Sequence, residues 1–336
     1  MVDVSLPRVL VLALGGTIAS APGPGGGGAV PRLSPAELLA AVPAAATIAE
    51  IRVETFRQYP SGDLSIDDVV ELAALIRDRG SEVDGFVVTQ GTDTLEETSY
   101  LLDLLLDRSP GHSGAPPVVL TGAMRNAALP GADGPANILS AVRVAISPEA
   151  AGLGPLVVFA DEIHLPRFVR KVHSSSVGAF VSPGTGPIGW VTEDRVRIPM
   201  IPRDHTPTVQ PRTTGALPTV GIIKIGLGTG PILAEHVTGM DGLVVEAFGG
   251  GHVPGAIVES VALINARIPV VMVTRTGGGE VYQSTYSFPG SEQDLLERGI
   301  ISGHWLDGAK ARVLLIMLLA SGADRATIQA RFAEAP

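Results

Sequence analysis

The sequence predicts an α/β fold: a doubly wound parallel sheet with a second, smaller α/β domain. Short apolar, β-branched runs recur along the chain, and amphipathic segments lie between them. A stretch rich in Pro, Thr and charges, at 192–216, interrupts the alternation. The 336 residues exceed what one small core needs and suit two such domains.

The apolar runs are Val9–Leu14, Gly85–Thr89, Pro117–Leu120, Leu156–Phe159, Val220–Ile225, Leu243–Val245 and Val270–Val273. Continuous runs of this length fit strands buried on both faces of a parallel sheet. Helical spacing appears over Ser65–Arg79, Leu95–Leu106, Pro135–Ile146 and Lys310–Leu319. Alternating elements imply βαβ units. The expected domains are residues 1–195 and 217–336, joined by a linker at 196–216. No internal repeat is visible. The Gly-rich stretch APGPGGGGAVP at 21–31 is expected to be mobile.

Composition narrows the function. Hydrophobic residues make up 45% and charged residues 17%, enough for a sizeable core and against disorder. The formal net charge is −10 with no Lys/Arg run, which argues against nucleic acid as a partner. There is no Cys, so disulfides, thiolate metal sites and a Cys nucleophile are excluded. The seven His are scattered, so neither a metal nor another cofactor is expected. Val9–Leu14 is short and lacks a charged leader and an A-x-A site. No apolar run reaches the ~18 residues of a membrane span. The expectation is a cytoplasmic protein without a membrane partner.

In open parallel sheets, ligands bind at the carboxyl ends of the strands. After the first strand come Gly15, Gly16 and Thr17. The glycines permit a sharp turn and deliver a hydroxyl in front of a candidate lid. The plain alternative is Thr17 as a helix cap. After Gly85–Thr89 comes Gln90-Gly91-Thr92-Asp93-Thr94-Leu95-Glu96-Glu97-Thr98. Asp93 can bind a substrate ammonium and Thr92 can hold a water. Thr94 with Glu97 fits a capping box. Thr121-Gly122-Ala123-Met124-Arg125 follows the next strand, and Asp133-Gly134-Pro135 reads as a turn and helix start.

LGGTIAS, TQGTDTLEET, LTGAMR and ADGPAN, in that order, resemble the asparaginase/glutaminase family. The stretch AKARVLLIMLLASGADRATIQARF at 309–332 is similar to that family's closing helices. The resemblance covers nearly the whole chain. It implies an amidohydrolase converting L-asparagine to L-aspartate and ammonia, assembled as a homotetramer. Thr17 matches the family's nucleophile, which would form an acyl-enzyme. Thr92 and Asp93 match the second threonine and its acidic neighbour. Lys171, in RFVRKVHSSS, matches the lysine beside that threonine and would act as a base. Otherwise Lys171 would be a surface lysine beside Arg167 and Arg170.

The same resemblance assigns substrate contacts to Gly16, Ser61, Gly62, Gly91, Thr92, Asp93 and Ala123. Ser61 would hold the α-carboxylate. Ala123 would lie near the leaving amide. Backbone amides at 15–17 and 91–92 would serve an oxyanion. His252, in FGGGHVP, matches a polar residue of a neighbouring subunit. The acidic residue of the C-terminal domain is either Glu280 or Glu292. The segment 18–33 lacks the family's loop tyrosine, and Gly62 stands where some members carry Gln. Tyr286, Tyr282 or Tyr59 is the candidate replacement, against a plain packing role. Three rival readings remain: a glutaminase or mixed enzyme, an ammonia-donating subunit, and a non-catalytic amino-acid-binding relative.

Overall fold

The computed structural model describes residues 5–22, 29–31, 37, 40–106, 115–202, 207–210, 215–231 and 234–334. The chain forms two compact units, Met1–Thr208 and Val209–Pro336.

In the first unit the strands are β1 (Arg8–Gly15), β2 (Ser20–Pro22), β3 (Ala29–Pro31), β4 (Glu50–Tyr59), β5 (Gly85–Thr89) and β6 (Val118–Thr121). They continue with β7 (Pro155–Phe159), β8 (Glu162–His164), β9 (Arg170–Lys171), β10 (Phe180–Val181), β11 (Gly189–Thr192) and β12 (Arg195–Arg197). The main sheet has the order β12-β11-β8-β7-β6-β5-β1-β4. Its β4-β1-β5-β6-β7 portion is parallel. Its β7-β8-β11-β12 portion is antiparallel. Two-stranded ribbons join β2 to β3 and β9 to β10.

The expected strands are there because their apolar runs bury on both faces, except Val220–Lys224, a sheet edge on which Ile222 is exposed. Every residue of β5, β6 and β7 is buried, as is β1 beyond Arg8. Burying each Val or Leu contributes ~1.5–3 kcal/mol. Val11, Val87, Val119 and Val158 form the centre of one core with Ala141 and Val142 of α3 (Gly134–Ala145).

Strand β4 was not among the expected runs. It closes the sheet edge and carries Glu50, Arg52, Glu54 and Arg57, which broke the apolar run. Charged side chains are characteristic of an edge that must not pair with another chain. The antiparallel arm was missed because β8 and β12 are only three residues long.

Helix α1 (Ile66–Arg79) opens on a capping box between Ser65 and Asp68. Helix α2 (Leu95–Leu105) does not open on the box expected from Thr94 and Glu97. The Thr94 hydroxyl instead donates to the Ser61 carbonyl at 2.9 Å and accepts from Gln90 Nε2 at 3.0 Å. A long-range contact has taken the capping hydroxyl. Residues 21–22 and 29–31 of the Gly-rich stretch are strand residues in the β2–β3 ribbon. Residues 23–28, the middle of the lid expected over 21–31, lie outside the described residues.

The topology sets where a ligand can bind. β1 lies between β4 and β5, so the chain first steps to one side of β1 and then to the other. This is a switch point, and ligands of open parallel sheets bind at such a point, outside the carboxyl ends of the strands.

The second unit has a parallel sheet of β13 (Val220–Lys224), β14 (Gly242–Ala247), β15 (Val270–Thr274) and β16 (Ile301–Ser302). Its helices are α4 (Val258–Asn265), α5 (Glu292–Glu297), α6 (Gly308–Ser321) and α7 (Arg325–Glu334). Lys310 of α6 is fully buried and its Nζ donates to Asp307 Oδ2 at 2.8 Å. No helix among the described residues is long and apolar enough to cross a membrane.

His164 of β8 makes stability depend on pH. It is fully buried, with Nδ1 3.0 Å from Ser182 Oγ and Nε2 3.4 Å from Glu162 Oε2. Burial lowers its pKa to about 4 from 6.5. The unfolded chain therefore binds this proton more readily, and stability falls as pH drops through 6.5 toward 4. The loss from this group reaches about 3 kcal/mol. Urea midpoints at pH 7 and pH 4.5 will drop less in His164→Gln than in the wild type. Equal drops would show that His164 does not carry the effect.

Candidate active site

In the first unit, two strand ends meet at the switch point. β1 runs into Gly15 and Gly16, then Thr17 begins a short 3-10 helix, Thr17–Ala19. Gly16 is the N-cap, without a side-chain cap bond. The Thr17 hydroxyl is therefore not used as that cap. β5 runs into Gln90, Gly91, Thr92 and Asp93 ahead of α2.

Gly16 and Gly91 let these segments touch through their backbones. Gly16 has φ +80°, and a Cβ there would stand 2.1 Å from Gly91 N and Cα. A Cβ on Gly91 would meet Ser61 Cβ and Oγ at 2.8 Å. Side chains at either position would force the loops apart.

Ser61 completes this first cluster. It is buried, and its Oγ accepts from the Asp93 amide at 3.3 Å. Gln90 Nε2 donates to both Thr94 and Thr98 at 3.0 Å, fixing the turn from below. The Gly16 amide donates to the Tyr59 carbonyl at 3.1 Å. That removes Gly16 from the expected oxyanion donors in this conformation. Its amide is spent on holding the β1 turn against β4.

Lys171 reaches this cluster from β9. Its Nζ donates to Thr92 Oγ1 at 2.9 Å and to Asp93 Oδ1 at 2.6 Å. Thr92 is buried, whereas the Asp93 side chain is 76% exposed. An ion pair that exposed adds little stability. Its effect is to aim the ammonium at the Thr92 hydroxyl.

Ala123 is buried in the loop after β6. Asp133 accepts from the Met124 and Arg125 amides at 2.9 and 2.8 Å. Asn137 Nδ2 donates to the Gly122 carbonyl at 2.9 Å, and Asn137 Oδ1 accepts from the Ala160 amide at 3.1 Å. Asp133 and Asn137 therefore shape the Ala123 loop, beyond the plain turn that the sequence suggested for Asp133. Gly62 is exposed, and a Cβ there would meet nothing within 4 Å.

The second unit holds a separate cluster. His252 Nε2 lies 3.0 Å from Glu292 Oε2. The other Glu292 oxygen accepts from the Thr285 and Tyr286 amides, each at 2.6 Å. Burial pushes the Glu292 carboxyl up. Backbone donors including Tyr286 and Thr285, together with the His252 ring, outweigh it and hold the carboxyl below its usual range. Glu292 is thus an internal clasp for the 285–292 loop, whereas Glu280 is exposed. The His252 ring packs edge-on against Tyr286 at 5.1 Å and Phe288 at 5.3 Å. Tyr282 sits 6.5 Å from the same ring. Of the candidate tyrosines, Tyr59 is in the first unit, where it pairs with Gly15 in the β1–β4 register. Among the described residues, no group of three or more His, Asp and Glu could hold a metal ion.

The family profile described as Asparaginase, N-terminal matches residues 8–202. The Glutaminase/Asparaginase C-terminal domain matches residues 219–332. The chain belongs to the asparaginase family. It is 38% identical to a probable L-asparaginase of Deinococcus radiodurans, over 98% of each chain. It is 36% identical to an L-asparaginase of Bacillus licheniformis, over 94% of this chain and 96% of the relative. The solved structure of a probable cytoplasmic L-asparaginase from Campylobacter jejuni superposes with a TM-score of 0.85 at 30% identity. That match covers 97% of this asparaginase-family chain and 99% of the other.

Gly16→Ala tests the backbone contact. The variant is expected to lose more than about 2 kcal/mol of stability, from the positive φ and the overlap with Gly91. Urea unfolding measures this. A wild-type midpoint would show that the two loops can separate freely.

Proposed function

We propose that this chain hydrolyses L-asparagine to L-aspartate and ammonia, with Thr17 as nucleophile. The observation that carries the reading is Lys171 Nζ, 2.9 Å from Thr92 Oγ1 and 2.6 Å from Asp93 Oδ1, in the loop packed against Gly16. A hydroxyl held by a lysine, on a loop packed against the turn that leads into Thr17, suits acyl transfer in two steps.

In the first step Thr17 Oγ attacks the side-chain amide carbon and gives up its proton. The C–N bond then breaks, and the nitrogen leaves as ammonia after taking a proton. An aspartyl ester on Thr17 remains. In the second step Thr92, held by the Lys171 ammonium, positions a water, and the proton that this water loses passes to the Thr17 oxygen as the ester bond breaks. The water oxygen bonds to the acyl carbon, the ester bond breaks, and Thr17 regains its proton. The Asp93 carboxylate binds the substrate ammonium, and Ser61 binds the α-carboxylate. Ala123 lies at the leaving amide. In the second unit, His252, Glu280 and Tyr286 are read as substrate contacts.

Gly62 favours a second reading, in which glutamine is also accepted. The open space at its Cβ position leaves room beside Ser61. One methylene changes pocket affinity by only ~1–3 kcal/mol, roughly 10–200-fold in specificity. A homotetramer located in the cytoplasm is part of the same proposal, and light scattering of the purified protein tests the assembly.

Ammonia release from asparagine and from glutamine tests the function. Wild type is expected to release ammonia from asparagine, with kcat/KM for glutamine lower by no more than about 200-fold. Thr17→Ala and Thr92→Ala should each lose at least about 100-fold in kcat. Silence of the wild type on both amides would overturn the proposal, and full activity of Thr17→Ala would overturn the nucleophile assignment.

A further inference from the structure

Lys171 has a long, flexible side chain on a two-residue strand. β9 pairs with β10 through Phe180–Lys171 and Val181–Arg170, and the Val172 amide donates to the Ala179 carbonyl at 2.8 Å. Such a short ribbon is a weak platform for a group whose Nζ must sit within hydrogen-bond reach of Thr92. Something else has to fix where the lysine backbone begins.

Glu96 does this. Its Oε2 accepts from the Lys171 amide at 2.5 Å, across 75 residues of sequence. Glu96 lies in the first turn of α2, where the helix N-terminus favours a negative charge. A carboxylate accepting from an amide makes a charge-assisted bond, stronger than a neutral one. The same short segment therefore holds Lys171 at both ends. Thr92 and Asp93 take the ammonium, and Glu96, three residues on from Asp93, takes the amide.

We infer that Glu96 is a positioning residue for the reaction, acting through the Lys171 backbone to hold Nζ against Thr92. The inference rests on the proposed role of Lys171. Its carboxylate sets the distance from the β9 backbone to the α2 turn, so that the lysine stem spans a fixed gap. A misplacement of ~1 Å at a reacting group can cost up to ~100-fold in rate.

The test compares Glu96→Ala, Glu96→Gln and Lys171→Met in the full-length protein. Glu96→Ala should lower kcat by about 10- to 100-fold while KM for asparagine stays within about threefold. Glu96→Gln keeps an acceptor oxygen at the same reach and should recover most of that loss. Melting curves are recorded for each variant. If Glu96→Ala does not fold, Glu96→Asp takes its place. It keeps the charge but withdraws the oxygen by one methylene, and should also be slow in kcat. Wild-type kcat in the variant without the acceptor would overturn the inference. So would Glu96→Gln as slow as that variant. If Lys171→Met is slow while Glu96→Ala runs at full speed, only the Glu96 inference fails. If Lys171→Met itself runs at the wild-type rate, the role of Lys171 fails, and this inference with it.

Discussion

Gly16 and Gly91 let the ends of β1 and β5 approach so closely that a methyl group on Gly16 would overlap the facing backbone. The arrangement of the site depends on that approach. It sets the chain leading to Thr17 against the chain leading to Thr92, two hydroxyls from segments about 75 residues apart. Ser61 packs on the same contact, and its Oγ takes the Asp93 amide. The sheet makes the approach possible because β1 has β4 on one side and β5 on the other. In open parallel sheets a switch point of this kind is where the ligand binds, outside the carboxyl ends of the strands.

Around this contact, polar groups at helix starts are turned to bonds outside the helix. Thr94 ties the Ser61 carbonyl to the β5 turn when it would otherwise cap α2. Glu96 adds charge to the first turn of α2 and clasps the Lys171 amide. Asp133 precedes α3 and gathers the amides of Met124 and Arg125. In each case a residue at the start of a helix bonds outside that helix. Rigid helix starts at strand ends are good supports for reactive groups, because packing already fixes their backbones.

Burial and bonds of this kind explain what the sequence disclosed and what it concealed. The buried parallel strands were legible, because a strand buried on both faces must be continuously apolar. Strand β4 was not, because an edge strand alternates and carries charge. Thr17, Thr92, Asp93 and Lys171 became candidates through motif resemblance, and the structure brings Lys171, Thr92 and Asp93 together. Glu96 was hidden, since nothing local marks a carboxylate that bonds an amide 75 residues away. Glu292 was visible only as one of two acidic candidates, and its burial behind His252 shows an internal role. The Gly16 amide was misjudged because its bond to Tyr59 depends on the unforeseen β4.

The central claim is that Thr17 forms the ester and that the Thr92–Lys171 pair serves its hydrolysis. Rapid acid quench of Lys171→Met with asparagine, followed by peptide mass analysis, tests it most directly. Slowed hydrolysis should leave an aspartyl ester on the peptide that carries Thr17. An ester on the peptide that carries Thr92, or turnover at the wild-type rate with no ester on either, would contradict the account.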